Sequence, residues 1–228
     1  MSRAENRLEI TRAIQEAARR QLAEVGPAAL SLRAIAREVG MVSSAVYRYF
    51  PSRDDLLTAL IIEAYDELGA AVEAAETGVR RRDDLAKRFT ALCHAVHDWA
   101  RANPHEYALL YGSPVPGYAA PDTTVPSAAR ITGPILRLAE ESDRVGRELG
   151  APTRAPSAKE RRALGGVRPA LDVVVDDTRL VRWLMAWATL FGHVSLELFG
   201  HMHRGILDYD AHFAQVVAQL CDDLGLSG

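Results

Sequence analysis

The chain has 228 residues, 48% hydrophobic and 25% charged, enough to bury a sizeable core in one or two domains. Its net charge of −3 excludes a uniformly basic protein, so any surface for a polyanion has to be local. Residues 1–53 hold nine Arg against five Glu, with no Lys or Asp; this local +4 leaves −7 for the remainder, a basic head on an acidic body.

The apolar periodicity is helical throughout, and no run alternates as a strand does. The expected fold is all-α, with about nine helices. Ile10, Ile14, Ala18, Leu22 and Val25 share one stripe of a first helix, which Gly26 and Pro27 end. Ser31 caps a short second helix with Leu32, Ile35, Ala36 and Val39 inward, and Gly40 closes it. After Gly40-Met41-Val42 a third helix runs from Ser43 to Phe50 and stops at Pro51. Ser52 and Asp55 form an S-x-x-D cap for a long fourth helix that carries Leu57, Leu60, Ile61, Ala64 and Leu68 and fades near Gly78. A fifth helix starts near Asp83, shows Leu85, Phe89, Leu92, Cys93 and Val96, and breaks at Asn103-Pro104. His105 to Tyr111 is a short helical piece. It leads into GSPVPGYAAPDTTVP, a loop by its four prolines and two glycines. Helix resumes through Ile131 to Leu149. Residues 150–169, rich in Pro, Gly, Ala and Arg, read as a flexible linker, and two apolar helices, about Asp177–Met202 and Tyr209–Leu224, close the chain.

The second and third helices have the length and linking turn of a helix-turn-helix, spanning residues 31–50, in which the third helix enters the DNA major groove. On a helical wheel, Val46 and Phe50 point inward while Ser44 and Arg48 point outward, flanked by Tyr47. Small outward residues let a helix approach base edges. Ser31, Tyr47, Tyr49 and Arg53 ring that face as hydroxyl or charged donors suited to phosphates.

The run LRAIAREVGMVSSAVYRYFPSRDDLL resembles the N-terminal domain of TetR-family transcriptional regulators, and the match extends over residues 8–68. The resemblance implies backbone contacts from Ser31 and Arg33, base contacts from Ser43, Ser44 and Arg48, and phosphate contacts from Tyr47, Tyr49 and Arg53. Arg53 stands where the family usually has Lys, which keeps the charge. NPHEYALLYGSPVPGYAAP and the later WATLFGHVSLELFGH are similar to an actinobacterial-type subgroup of TetR-like C-terminal domains. Residues 79–226 would then form an effector-binding and dimerisation domain.

In that family the last two long helices pair across a two-fold axis. Here the pairing implies interface positions Leu184, Ala188, Phe191, Ser195, Leu198, Phe213, Val216, Val217 and Leu220; ordinary packing within one chain is the competing reading for each. Trp99, Tyr107, Tyr111, Trp183 and Trp187 fall in helices that would enclose a small apolar or aromatic effector, with core packing again the alternative.

Other chemistry lacks support in the sequence. There is no phosphate-binding loop, nucleophile elbow or dinucleotide fingerprint, so neither an enzyme nor a cofactor is expected. His94 and His97, and His201 with His203, lack the pattern of a metal site, and no metal is expected. Cys93 and Cys221 read as core residues of a reducing compartment. Neither the first ten residues nor the Trp183 to Phe199 run, which His193, Ser195 and Glu197 interrupt, has the make-up of a signal or membrane segment, so a cytoplasmic protein is expected. The expected partners are double-stranded operator DNA, a small effector and a second copy of the chain. The expected function is a dimeric repressor that its effector releases from a palindromic operator. A helix-turn-helix regulator without an effector, or a protein-interaction module, is the alternative.

Overall fold

The computed structural model describes residues 2–150, 153–167 and 174–227. Among these there are ten α-helices and no strand, as the periodicity implied. They are α1 (Arg3–Val25), α2 (Leu32–Glu38), α3 (Ser43–Val46), α4 (Arg53–Gly78), α5 (Leu85–Ala102), α6 (Pro104–Tyr111), α7 (Val125–Arg144), α8 (Ala158–Ala163), α9 (Asp177–Leu198) and α10 (Tyr209–Asp223). The chain divides into two compact units. The first takes in the chain up to Tyr65 together with Asn103–Ser127; the second holds Asp66–Ala102 and the chain from Ala128 onward.

The core of the first unit is assembled from the apolar stripes read above: Ile14, Ala18 and Leu22 of α1, Leu32, Ile35 and Ala36 of α2, then Val46, Phe50, Leu56, Leu57 and Leu60. Leu109, Val115 and Tyr118 pack against it, and Tyr118 shares a hydrogen bond of 2.9 Å with Thr58. The α6 helix and the proline-rich loop after it therefore complete the head, although the sequence reading placed them in the body.

Local chemistry fixes the helix ends. Ser2 and Glu5 form a capping box at the start of α1. The Ser31 hydroxyl accepts from the Ala34 N–H, and the Ser31 N–H donates to Gln21 Oε1 at 3.0 Å, tying the start of α2 to α1. At the end of α2, Gly40 adopts φ +67°, which lets the Met41 N–H reach back to the Ala36 carbonyl at 2.8 Å. A side chain at Gly40 would strain this left-handed turn.

In the second unit, buried arginines bind the helices together. Arg88 of α5 donates to Glu76 of α4 and to Glu141 of α7, both at 2.6 Å, and Arg82 also bonds Glu76. Burial raises the Glu76 pKa, but the hydrogen bonds from Arg88 and Arg82 outweigh it and hold the carboxyl below its usual range. Arg179 of α9 bonds Asp143, Ser142 and the Arg147 carbonyl. Arg130 of α7 grips Asp66 and Glu73 of α4 over Gly69, where a Cβ would meet the Arg130 Cβ at 2.7 Å.

Two boundaries differ from the sequence reading. The third helix is regular only to Val46, and the chain continues to Phe50 through turns in which the Tyr49 and Phe50 N–H groups both reach back to the Val46 carbonyl. Within the expected linker lies α8, capped by Ser157, whose hydroxyl accepts from the Glu160 N–H at 3.2 Å. An S-x-x-E cap inside a proline-rich stretch starts a helix that composition alone conceals. Residues 151, 152, 168 and 169 of that stretch lie outside the described residues.

Candidate nucleic-acid interface

The turn between α2 and α3 orients the expected DNA-contact residues. Val46 is fully buried and Phe50 nearly so, which anchors α3 from below and turns its opposite face outward. Ser44, Tyr47 and Arg48 are exposed on that face, with Ser43 half-buried beside them. Arg33 is exposed on α2, and Ser31 is half-buried at its N-terminus. Tyr49 is also half-buried, and the Arg7 guanidinium lies 5.3 Å from its ring centroid, a cation–π contact between α1 and the end of the helix-turn-helix. Together these place hydroxyls, cations and a small-residue helix surface on the head, the combination that grips phosphates and admits base edges.

Arg53 is placed differently. Its Nη2 donates to the carbonyls of Pro27 at 2.7 Å and Ala28 at 3.2 Å, so the guanidinium closes the α1–α2 connection. Three residues were missed in the sequence reading. Arg37 is exposed in the last turn of α2, Arg7 reaches Tyr49, and Val42, at 70% exposure, offers an apolar side chain ahead of α3. The signal in the sequence was a valine immediately before the start of the third helix, an apolar side chain of a kind that suits a thymine methyl group.

The expected effector aromatics are divided between the two units. Tyr107 is fully buried in the first unit and packs on Tyr111 at 5.1 Å, which in turn meets Tyr65 edge-on at 6.3 Å. Burial raises the Tyr65 and Tyr111 pKa values, so both phenols stay neutral. Trp183 and Trp187 instead line a cavity of about 430 Å³ within the second unit, and Trp99 does not border it. Sequence order suggested one aromatic box; Tyr107 and Tyr111 on α6 pack within the first unit.

The expected dimer face also needs re-registering. Phe191, Phe213, Val217 and Leu220 are buried in the chain's own core, and Leu184 lines the cavity. Ser195, Leu198 and Val216 are half-buried, and Ala188 is exposed. The outward stripe of α9 is Met185, Ala188, Gly192 and Leu196, continued by Phe199, with Ala211, Ala214 and Ala218 exposed on α10. The largest apolar side chains were assigned to the interface, whereas the protomer itself uses them.

His94, His97, His193 and His212 are engaged within the fold. His97 Nε2 lies 2.8 Å from Glu197 and its ring stacks on Phe213 at 4.1 Å, while His193 sits 5.1 Å from His212. Burial, aided by His212, lowers the His193 pKa.

Comparison with known proteins agrees with this architecture. The family of bacterial regulatory proteins named tetR matches residues 14–60, and the tetracyclin repressor-like C-terminal domain matches residues 89–220. HTH-type transcriptional regulator Mb1846 of Mycobacterium bovis is 39% identical over 235 aligned positions, covering 96% of each chain, and Rv1816 of Mycobacterium tuberculosis aligns equally. The crystal structure of regulatory protein SCO4313 has a TM-score of 0.79 at 31% identity and covers 96% of this chain and 98% of that one. Two family domains in order, and relatives aligned over nearly their whole length, lead to one conclusion: the chain belongs to the TetR family of transcriptional regulators.

Proposed function

We propose that this DNA-binding regulator is a homodimeric repressor of an inverted-repeat operator, released by a small molecule held in its C-terminal body. One observation carries the DNA part. Ser44, Tyr47 and Arg48 are exposed together on α3 while Val46 and Phe50 fasten its other face to the core. Ser43, Ser44, Arg48 and Val42 read bases; Ser31, Arg33, Tyr47 and Tyr49 hold phosphates. The head of residues 8–68 binds DNA, and the part of residues 79–226 that lies in the second unit receives the effector and dimerises. No helix among the described residues is long and apolar enough to cross a membrane, which supports action in the cytoplasm on chromosomal DNA.

The exposed stripe of Met185, Ala188, Gly192, Leu196 and Phe199 supports dimerisation, because an apolar row of this length on a helix is a liability unless a partner covers it. A two-fold dimer sets its recognition helices about one DNA turn (~34–36 Å) or somewhat more apart and so needs an inverted repeat. The test is selection of binding sites from a pool of random duplexes, then titration of the selected operator over a salt series, with light scattering on the free protein. The expected results are an inverted repeat, affinity that falls steeply with salt, and a dimer. A monomer that binds a single unrepeated site would overturn the dimeric reading.

A further inference from the structure

The cavity of about 430 Å³ has a lining that specifies its occupant. Ile135 and Leu136 of α7 form one wall, and Trp183, Leu184 and Trp187 of α9 form another; Ala163 stands at the rim. Gly166 and Val167 complete the lining; among the described residues no charged side chain borders it, and Thr132 supplies the hydroxyl. The tryptophan rings are held in place from behind, Trp183 edge-on to Phe89 at 5.6 Å and Trp187 against Phe191 at 5.5 Å. The volume falls within the range of small-molecule sites. A carboxylate or ammonium placed here would lose part of its water and meet no opposite charge among the described residues, so the cavity discriminates against ions.

A second observation narrows the class. The indole N–H groups of Trp183 and Trp187 are both buried without a hydrogen-bond acceptor. A buried donor without a partner is costly, and an oxygen introduced with a ligand would satisfy it. We infer that this cavity binds a neutral, largely apolar molecule bearing a hydrogen-bond-accepting oxygen, such as a ketone, ester or quinone, and rejects carboxylates and amines. The regulatory meaning of that binding rests on the effector reading above; the binding itself does not.

Three probes of matched size test the class on the full-length protein at pH 7.5: 2-acetonaphthone, 2-ethylnaphthalene and 2-naphthoate, titrated by calorimetry. The ketone should bind one per protomer, the hydrocarbon about fivefold more weakly for want of one hydrogen bond, and the anion at least about 100-fold more weakly. Replacing both indoles, Trp183→Phe with Trp187→Phe, should erase the preference of ketone over hydrocarbon while both still bind. Ala163→Trp, at an exposed rim position, should abolish binding of all three, with an unchanged thermal melt showing that the fold is kept. Naphthoate binding as well as the ketone, equal binding of ketone and hydrocarbon, no binding by any probe, or full binding to the Ala163→Trp protein would each overturn the inference. The two readings fail separately. Ketone binding that Ala163→Trp abolishes, with no change in operator affinity, keeps the site and counts against the effector role. Release of operator by the ketone in the Ala163→Trp protein keeps an effector role and removes this site.

Discussion

Replacing Arg53 with alanine should loosen the head rather than remove a phosphate contact. The guanidinium donates to two carbonyls of the α1–α2 connection, Pro27 at 2.7 Å and Ala28 at 3.2 Å, and the second bond is exposed. Hydrogen bonds from a charged donor contribute about 1.5–3 kcal/mol each, less where water competes. Arg53 Nε is buried without an acceptor, and its removal returns part of that gain. The net loss comes to about 2 kcal/mol, a fall in Tm of about 4–8 °C for a chain of this size. Calorimetric melts measure this, and operator titrations over a salt series run alongside. If Arg53 is the clamp, Arg53→Lys should fail to restore Tm, since an ammonium does not reproduce the two-pronged geometry, and the salt slope should stay near that of the wild type. A Tm within about 1 °C of wild type, with a slope shallower by about 0.9 per lost phosphate contact and rescued by Lys, would refute the reasoning.

Tyr47→Phe removes one exposed hydroxyl and should lower operator affinity about fivefold per head with no change in Tm, as anisotropy titration and a melt will show. Met185→Glu with Leu196→Glu should give monomers by light scattering, while Phe213→Ala, at a fully buried position, should instead cost about 3–5 kcal/mol in a urea titration and leave assembly of the folded fraction intact. Glu76→Gln removes one of the two carboxylates that pair with the buried Arg88, leaving Glu141, and should cost about 1.5–3 kcal/mol. Because the folded Glu76 pKa is depressed, its contribution is present above the unfolded carboxylate range and lost as pH falls through the lower folded value, so the variant should lose part of the acid dependence of stability. The lowered His193 pKa has the same sign: its contribution is complete above 6.5 and drains as pH falls below it. His193→Gln should therefore flatten the change in Tm between about pH 7.5 and 5.5.

The head was legible in the sequence because each of its signals is local. Ser31 and Gly40 delimit α2 through hydrogen bonds spanning a few residues, and Val46 and Phe50 share a face simply by lying four apart. Arg53 escaped because its acceptors lie 26 and 25 residues upstream, and nothing in PSRDD announces that Pro27 and Ala28 will present bare carbonyls to it. The same holds for α6. Its aromatic residues look equally suited to a body cavity, and only the tertiary fold commits Tyr107 to the head.

The closing helices failed differently, and for a reason intrinsic to amphipathic patterns. A helix with one apolar stripe reveals which face is inside; α9 has such a face but also exposes Met185, Ala188 and Leu196, so the pattern alone does not say which apolar residues stay outside. Size then misleads. Phe191 and Phe213 look like natural interface anchors, yet each protomer needs its bulkiest side chains to fill its own core, with Phe213 packed among His94, His97 and His193. What stays exposed for the proposed partner is the smaller set, Ala188, Gly192, Ala214 and Ala218, flanked by Met185, Leu196 and Phe199. Small residues in the centre allow close approach of helix backbones, while flexible or large ones at the margin seal the seam. In the proposed dimer, specificity for a second copy would reside in the spacing of glycine and alanine along two helices, a property that hydrophobicity scales rank below any phenylalanine.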